Sequence, residues 1–300
     1  MSSFRMRPMY DLLLRGSDHM AVGLYQLHLA TPEQLCRLHY RPGSLKGVQR
    51  RLKTLVNEGY VQFGAYAVEH RTPGRIRHST RYYYTLSPEG MHYLAKLGFD
   101  VHEAWRADKE VDKHGLFVSH SLELNDVIIA AALLKSADKR FYLEDFIHER
   151  VLKRRPYKVK LPEGQSFSLI PDAYLDFRNV FDKNHFPVLL EHDRGTEEQF
   201  YFKRKVRAYL GLINSQAYRD WFGMKSITVA FTTFEGEKRL EKMREWTRQV
   251  LASTNTPWQI GGAFRFAALP RPLVPGVAWL EPRWFTAYDD EQPPSPLLAA

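Results

Sequence analysis

Cysteine is almost absent from this chain of 300 residues, which contains only Cys36. A single thiol excludes an intrachain disulfide and a zinc site built from several cysteines of one chain. Long apolar runs are missing too, since VIIAAALL at 127–134 is far shorter than the ~20 residues of a transmembrane helix. The N-terminal residues also lack the apolar stretch and cleavage site of a secretion signal. These absences predict a cytoplasmic protein with no membrane partner.

The composition indicates two domains and an anionic partner. Hydrophobic residues make up 44% of the chain, which is enough for two ordinary hydrophobic cores at this length. The formal net charge is +9. Such an excess favours nucleic acid as a partner, although the position of the charge along the chain decides how strongly.

Residues 1–100 are predicted to form a winged-helix DNA-binding domain. Thr31 can cap a helix and Gln34 can complete a capping box, and further helix starts follow at Ser44 and Ser87. After Gly59 two β-rich segments flank a basic loop that contains Pro-Gly, which is typical of a hairpin. Three helices followed by a hairpin is the order of a winged helix, whose third helix enters the major groove of duplex DNA.

Positive charge is concentrated in this region. Between Arg41 and Arg81 the sequence has nine Lys or Arg residues and two acids. The apolar stripe of the third helix leaves a basic face opposite, and the loop of the hairpin adds arginines. The candidate contacts to double-stranded DNA are Lys46, Gln49, Arg50, Lys53, Arg71, Arg75 and Arg77. A solvated helix face with a polar hairpin is the alternative, and winged helices also bind proteins.

A charged segment at 101–118 is predicted to be a linker. Residues 119–288 are predicted to form a second domain of mixed α/β or α+β type, with the order helix, strand, basic loop, strand, strand, helix, strand, helix. Segments 262–269 and 277–288 are predicted to add two strands. The Pro-rich tail at 289–300 is predicted to be disordered.

Carboxylates interrupt two apolar strands of the second domain. Strand alternation places Asp172 and Glu191 where they converge if the strands are neighbours. Two such carboxylates suit Mg²⁺, which takes oxygen ligands and can activate water for phosphodiester cleavage. Lys205, at the edge of the apolar stripe of the next helix, can extend its ammonium toward them.

The order of these elements resembles the PD-(D/E)xK nuclease superfamily. The segments HSLELND, IPDAYLDF and LLEHDRGTEEQFYFKRKVRAY, behind a basic winged helix, resemble more specifically the replication-relaxation family, over roughly residues 10–235. Members of that family are implicated in plasmid replication and copy control. The resemblance therefore implies a DNA-binding protein of a plasmid or mobile element.

The resemblance also implies roles for individual residues. Asp172 and Glu191 match the two acids of the nuclease pattern, with Glu123 on the first helix as a further metal ligand. Asp193 stands where the pattern has lysine, so the catalytic set would be Asp172, Glu191 and Lys205, and the Mg²⁺ ligands Asp172, Glu191, Asp193 and Glu123. His120, Asn125 or Asp126 could take the place of Glu123.

Three interpretations of the acids stay open at this stage. The domain is a Mg²⁺-dependent nuclease with a relocated lysine, or a nuclease-like fold that grips DNA or a protein without cutting. The third interpretation is structural: Arg194, Lys205 or a backbone amide pairs with the acids. The function is then replication or copy control with replication or transposition proteins as partners, or that of a non-catalytic transcriptional regulator or protein-recruiting adaptor.

Overall fold

The computed structural model describes residues 18–72, 75–101, 115–160, 164, 166–288 and 293–299, and for 69–78 it describes only the backbone. By residue contacts the chain divides into an N-terminal unit that ends at Ile129 and a C-terminal unit that begins at Ala130. In these described ranges no helix combines the length and the apolar character that a bilayer-spanning segment requires.

In its described residues the N-terminal unit contains three helices, a long hairpin and two further helices. Its elements are α1 (Asp18–Leu27), α2 (Pro32–His39), α3 (Leu45–Asn57), β1 (Val61–Thr72), β2 (Arg75–Leu86), α4 (Pro88–Lys96) and α5 (Gly115–Ala132). The last helix begins inside the segment predicted to be a linker and continues across the division between the units. The boundaries 1–100, 101–118 and 119–288 therefore stay predictions, and the contact division falls at a different place.

The starts of two helices follow from side-chain caps. The Thr31 hydroxyl accepts from the Gln34 amide at 3.2 Å, and the Gln34 side chain accepts from the Thr31 amide at 3.1 Å, which confirms the predicted capping box of α2. Ser87 caps α4 by accepting from the Gly90 amide at 3.0 Å. Ser44 precedes α3 without a side-chain cap bond. At two of the three predicted helix starts, a side-chain oxygen thus accepts a hydrogen bond from a backbone amide of the first turn.

The HSLELND segment fastens α5 to the rest of the N-terminal unit. The Asn125 amide donates to the carbonyls of Leu27 and Leu29 at 3.1 and 2.7 Å. Asp126 accepts from Gln34 at 2.8 Å and also pairs with Arg37. A buried amide and a half-buried carboxylate with such partners hold α5 in one orientation against the preceding elements. Asn125 and Asp126 thus have structural partners in this unit.

The C-terminal unit is built on a mixed sheet. Its strands are β3 (Phe141–His148), β4 (Tyr157–Lys160), β5 (Ser166–Leu169), β6 (Ala173–Asn179), β7 (His185–Asp193), β8 (Thr228–Thr233) and β9 (Phe264–Ala268). Its helices are α6 (Leu134–Ala137), α7 (Glu149–Leu152), α8 (Gln199–Asn214), α9 (Tyr218–Phe222), α10 (Glu237–Ser253), α11 (Trp258–Gly261) and α12 (Pro275–Trp279). Strands β4 and β5 form a separate hairpin.

The five-stranded sheet has the order β3-β6-β7-β8-β9. Strands β3, β6 and β7 pair antiparallel, and β7, β8 and β9 pair parallel. Helices α8 and α10 pack on one face, where Phe202 and Val206 join Leu189 and Val229 in the main hydrophobic core. On the other face Phe177 contacts the Trp279 ring at a centroid distance of 4.8 Å. The sheet and the fold class of mixed α and β structure agree with the prediction.

Three predicted elements differ from the structure. Segment 277–288 contains the end of helix α12 and single bridges rather than a strand, because Pro275 fits the first turn of a helix and fixes φ. The predicted strand that contains Asp172 is divided into β5 and β6, which lie on either side of Asp172. The tail is tied down where it is described: Ser295 pairs with Trp284, and Leu298 is buried and donates to the Trp279 carbonyl at 3.1 Å. The burial of Leu298 explains the difference, since the Pro-rich composition of the tail does not indicate that one of its leucines is buried.

Gly90 marks a close approach between α4 and the chain after α3. A Cβ built on Gly90 would lie 2.2 Å from the Tyr60 carbonyl oxygen, whereas one on Gly47 in α3 would meet nothing within 4 Å. We expect Gly90→Ala to lower the free energy of unfolding by about 1–3 kcal/mol through overpacking. Gly47→Ala, the matched control, should raise it by about 0.5–1 kcal/mol because alanine favours helix. Urea unfolding followed by circular dichroism measures both free energies. Equal changes for the two variants would contradict a close contact between Gly90 and Tyr60.

Candidate functional site

The register of β6 and β7 brings the two predicted acids to one end of the sheet. Ala173 pairs with Leu190, so the next position places Asp172 opposite Glu191. The Asp172 amide donates to the Leu190 carbonyl at 3.0 Å, which extends the ladder to this point. Opposite residues of an antiparallel pair point to the same face. This face carries α8 and α10, and α8 supplies the side-chain partners of Glu191.

The Asp172 carboxylate is held by the backbone of the neighbouring strand. Its Oδ2 atom accepts from the His192 amide at 2.7 Å, and its carbonyl accepts from the Glu149 amide at 2.8 Å. Asp172 is half-buried. A hydrogen bond from a backbone amide satisfies the charged form of a carboxylate. Asp172 is therefore fixed at the join between β6 and β7.

Glu191 is buried and both of its carboxylate oxygens have donors on α8. The Lys205 ammonium donates to Oε2 at 2.9 Å, and the Tyr209 hydroxyl donates to Oε1. Burial raises the pKa of Glu191 to about 7, against the attraction of the Lys205 ammonium, and the nearby Asp172 charge adds to the increase. Burial and the Glu191 carboxylate also raise the pKa of Tyr209 well above its usual value.

Lys205 joins two carboxylates. It lies 2.9 Å from Glu191 and 3.2 Å from a carboxylate oxygen of Glu197. Burial disfavours its charge, but the Glu191, Glu197 and Asp172 charges outweigh this and raise the pKa of Lys205 above its usual value. Lys205 is thus an ammonium in the ordinary pH range, placed among three carboxylates.

Asp193 points to the same helix-covered face and is paired with an arginine of α10. Its Oδ1 accepts from Arg239 Nε at 2.6 Å and its Oδ2 from Arg239 Nη2 at 2.7 Å. The Gly195 amide also donates to Oδ1 at 2.6 Å, and Arg239 donates to the Glu197 carbonyl at 2.7 Å. A bidentate arginine is the strongest common partner of a carboxylate. The predicted ligand role of Asp193 is replaced here by an ion pair that anchors α10 to β7.

The family model for replication-relaxation proteins matches residues 23–225. The chain belongs to the replication-relaxation family. This confirms the resemblance carried by the three sequence segments, and it indicates a replication-related function. No curated protein matches the chain.

One solved structure is similar to this replication-relaxation protein at a low level. It is described as the structure of restriction endonuclease FokI bound to DNA, with 13% identity and a TM-score of 0.21. The match covers 79% of this chain and 63% of that one. A similarity of this size carries no conclusion about the fold or the activity of the replication-relaxation protein.

The donors around the acids do not fit a shared Mg²⁺ ion in the replication-relaxation protein. Mg²⁺ needs carboxylate oxygens that are open to it and to its waters. Both oxygens of Glu191 and both of Asp193 instead accept bonds from cations or a hydroxyl. Among the described residues no group of three or more His, Cys, Asp or Glu is arranged to hold a metal. The third interpretation of the sequence, pairing by Lys205 and a backbone amide, describes the contacts of Glu191 and Asp172.

Other predicted site residues lie elsewhere. Glu123 is on α5 within the N-terminal unit and its role as a ligand stays a prediction. His192 is buried on the face opposite Glu191, where its Nδ1 lies 3.0 Å from the Thr232 hydroxyl and its ring contacts Phe234. The His192 ring is thus packed between β8 and Phe234.

The predicted DNA contacts on α3 share one exposed face. Val48, Leu52 and Leu55 are buried. The exposed residues of the opposite face are Lys46, Gln49, Arg50 and Lys53, with Arg51 beside them. No ion pair within the described parts of the chain involves these cations. Arg71, Arg75 and Arg77 fall where side chains are not described.

Sequence reasoning missed two residues of the polar cluster. Tyr209 lies within the apolar pattern of α8, and its hydroxyl nevertheless bonds Glu191. Arg239 lies 46 residues after Asp193 in the chain and gave no local signal. The presence of an acid on a buried strand does predict a cationic or hydroxyl partner. It does not predict which helix provides that partner.

The raised pKa of Glu191 predicts a pH dependence of stability. Its value of 4.5 in the unfolded chain rises to about 7 in the fold, so the native state binds the proton more tightly between these values. The free energy of unfolding therefore falls as pH rises from 5 to 8, by up to about 3 kcal/mol from this group. Glu191→Gln should lack this part of the decrease. Urea unfolding at pH 5 and pH 8, followed by tryptophan fluorescence, measures the decrease in both proteins. An equal decrease in wild type and Glu191→Gln would contradict a raised pKa of Glu191 as its cause.

Proposed function

We propose that this protein binds duplex DNA through α3 and the β1–β2 hairpin, in the manner of a winged helix, during replication or copy control of a plasmid or mobile element. The C-terminal unit then holds DNA or a replication partner rather than cutting the strand. Family membership supports the link to replication. Cytoplasmic location and replication or transposition proteins as partners belong to the same proposal.

The observation that carries the proposal is the exposed basic face of α3. Lys46, Arg50 and Lys53 recur at a spacing of four and three residues, so they line one side of the helix, with Gln49 next to them. Lysine and arginine can contact phosphates, and arginine and glutamine can read base edges in the major groove. A solvated helix face would be interspersed with acids. Within α3 there are none.

The contacts of the C-terminal unit support holding over cutting. Cleavage of a phosphodiester bond needs an activated water and stabilisation of the developing negative charge. Lys205, the one cation beside Glu191 on α8, is bonded to Glu191 and Glu197. These bonds make a closed polar core that links β7 to α8.

The experiment that separates holding from cutting uses supercoiled plasmid. The protein is incubated with plasmid and MgCl₂ or MnCl₂, and the products are analysed after protease treatment. We expect retardation of the plasmid before protease and intact supercoiled plasmid after it. Nicked or linear product would contradict the proposal for the C-terminal unit. Preference for one duplex sequence would favour a regulator.

Nuclease activity is the second candidate, and one contact favours it. The ammonium of Lys205 lies 2.9 Å from Glu191, with the Asp172 charge close enough to raise the pKa of both groups. A nuclease lysine that had moved from the strand to α8 would lie beside the same two acids. If nicking is observed, Asp172→Ala and Lys205→Met should each abolish it. Nicking that survives both changes would show that another protein or another site cuts the DNA.

A further inference from the structure

Helix α8 carries four cations and no acid. Its sequence is QFYFKRKVRAYLGLIN, and the cations are Lys203, Arg204, Lys205 and Arg207. Lys205 turns to the acids of the sheet. Lys203 and Arg207 are half-buried on the outside of the helix and form no ion pair within the described parts of the chain. The outer side of α8 is therefore a positively charged surface.

The β4–β5 hairpin lies against this helix and extends the surface. Val159 of β4 packs on Gly211 so closely that a Cβ on Gly211 would lie 2.6 Å from its Cγ1 atom. The Arg204 guanidinium lies 5.1 Å from the centre of the Phe167 ring of β5. The Tyr157 hydroxyl lies 3.0 Å from that of Ser215. These contacts fix one face of the hairpin on α8.

The other face of the hairpin points to solvent and consists of donors. Strand alternation and the pairing of Lys158 with Ser168 and of Lys160 with Ser166 put these four residues on one side. All four are exposed. None of the eight described strand residues of the hairpin is acidic. Lysine ammonium and serine hydroxyl groups are the donors that bind phosphate oxygens without reading sequence.

Helix α10 of the same unit has a solvated face on which cations are paired with acids. Its cations alternate with glutamates, and Arg244 and Arg248 pair with Glu241 at 2.8 and 2.6 Å. Such pairing neutralises the surface. The described strand residues of the hairpin and helix α8 contain no acid, and the outer cations Lys203 and Arg207 form no ion pair within the described parts of the chain.

We infer that the outer face of the β4–β5 hairpin, together with the outer side of α8, is a second DNA-binding surface that contacts the phosphate backbone. The inference deepens the proposed function, because it shares its ligand, duplex DNA, but it depends on different residues. It gives the C-terminal unit its own grip on DNA, independent of base sequence.

The test compares two double variants of the full chain. Lys158→Gln with Lys160→Gln removes two cations of the hairpin, and Lys238→Gln with Lys242→Gln removes two exposed cations of α10 as a matched control. Fluorescence anisotropy measures binding to two duplexes of unrelated sequence from 50 to 200 mM NaCl. The hairpin variant should lose about tenfold in affinity or more on both duplexes, and its salt slope should fall by about two. The control should stay within about twofold of wild type.

The outcomes separate this inference from the proposed function. If the hairpin variant behaves like the control while α3 variants lose binding, the second surface is overturned and the proposed function stands. If the hairpin variant loses binding while α3 variants do not, the second surface is supported and the proposed role of α3 is overturned. A wild-type protein that does not bind duplex DNA overturns both. Thermal unfolding of each variant, expected to match wild type because the four lysines are exposed, excludes loss of fold as the cause.

Discussion

Arg50→Ala combined with Lys53→Ala should weaken binding to duplex DNA by about a hundredfold or more. Both side chains are exposed on α3, opposite the buried Val48 and Leu52, so their removal leaves the packing of the helix unchanged. Each contact from arginine or lysine to DNA contributes about 1–3 kcal/mol, and the two losses add when the contacts are separate. Anisotropy of a labelled duplex at fixed salt measures the change.

A control variant with the same change of charge makes this result specific. Lys238→Ala with Lys242→Ala removes two exposed cations from α10 and should change affinity by less than about twofold, since net charge alone has a weak, screened effect. Circular dichroism should show equal helix content in all three proteins. Equal affinity of the α3 variant and this control would contradict a role of α3 in DNA binding.

Lys205→Met should lower the free energy of unfolding by about 3–5 kcal/mol at pH 8. Above the pKa of about 7, Glu191 is a carboxylate, and the variant would leave this buried charge with only the Tyr209 hydroxyl as a side-chain partner. At pH 5 the protonated carboxyl needs no ammonium, so the loss should be smaller. Urea unfolding followed by tryptophan fluorescence measures both values.

The double variant Glu191→Gln with Lys205→Met provides the control for this prediction. It removes both charges together, so it should be more stable at pH 8 than Lys205→Met alone. If the double variant is the less stable of the two, then Lys205 acts through packing of its stem rather than through Glu191. A large loss at pH 5 equal to that at pH 8 would also contradict the ion-pair account.

Local chemistry made part of the fold predictable. The capping box of Thr31 and Gln34 defined the start of α2, because an unsatisfied backbone amide there has few other acceptors. The last strand and the last helix of the predicted order correspond to β8 and α10. Strand alternation within β7 puts Glu191 and His192 on opposite faces, and their contacts with Lys205 and Thr232 agree with this. These features depend on residues within a few positions of each other.

Features that depend on distant contacts were not predictable in the same way. The β4 strand has alternating lysines and only four residues, so its sequence is typical of a basic loop. The strand is stabilised by a distant contact, because Val159 packs against Gly211 of α8. Helix α8 begins only at Gln199, since Lys205 and Arg239 hold Glu197 outside the helix by its carboxylate and its carbonyl. Arg239 as the partner of Asp193 follows only from the packing of α10 on the sheet.

The salt dependence of duplex DNA binding by the wild-type protein tests the central claim most directly. A protein that releases counterions from phosphates loses affinity linearly in log salt, with a slope of about −0.9 for each contact. The exposed cations of α3 and of the hairpin surface predict a slope of about −4 or steeper between 50 and 200 mM NaCl. An affinity that stays flat over this range would contradict the account that this protein holds DNA through these basic surfaces.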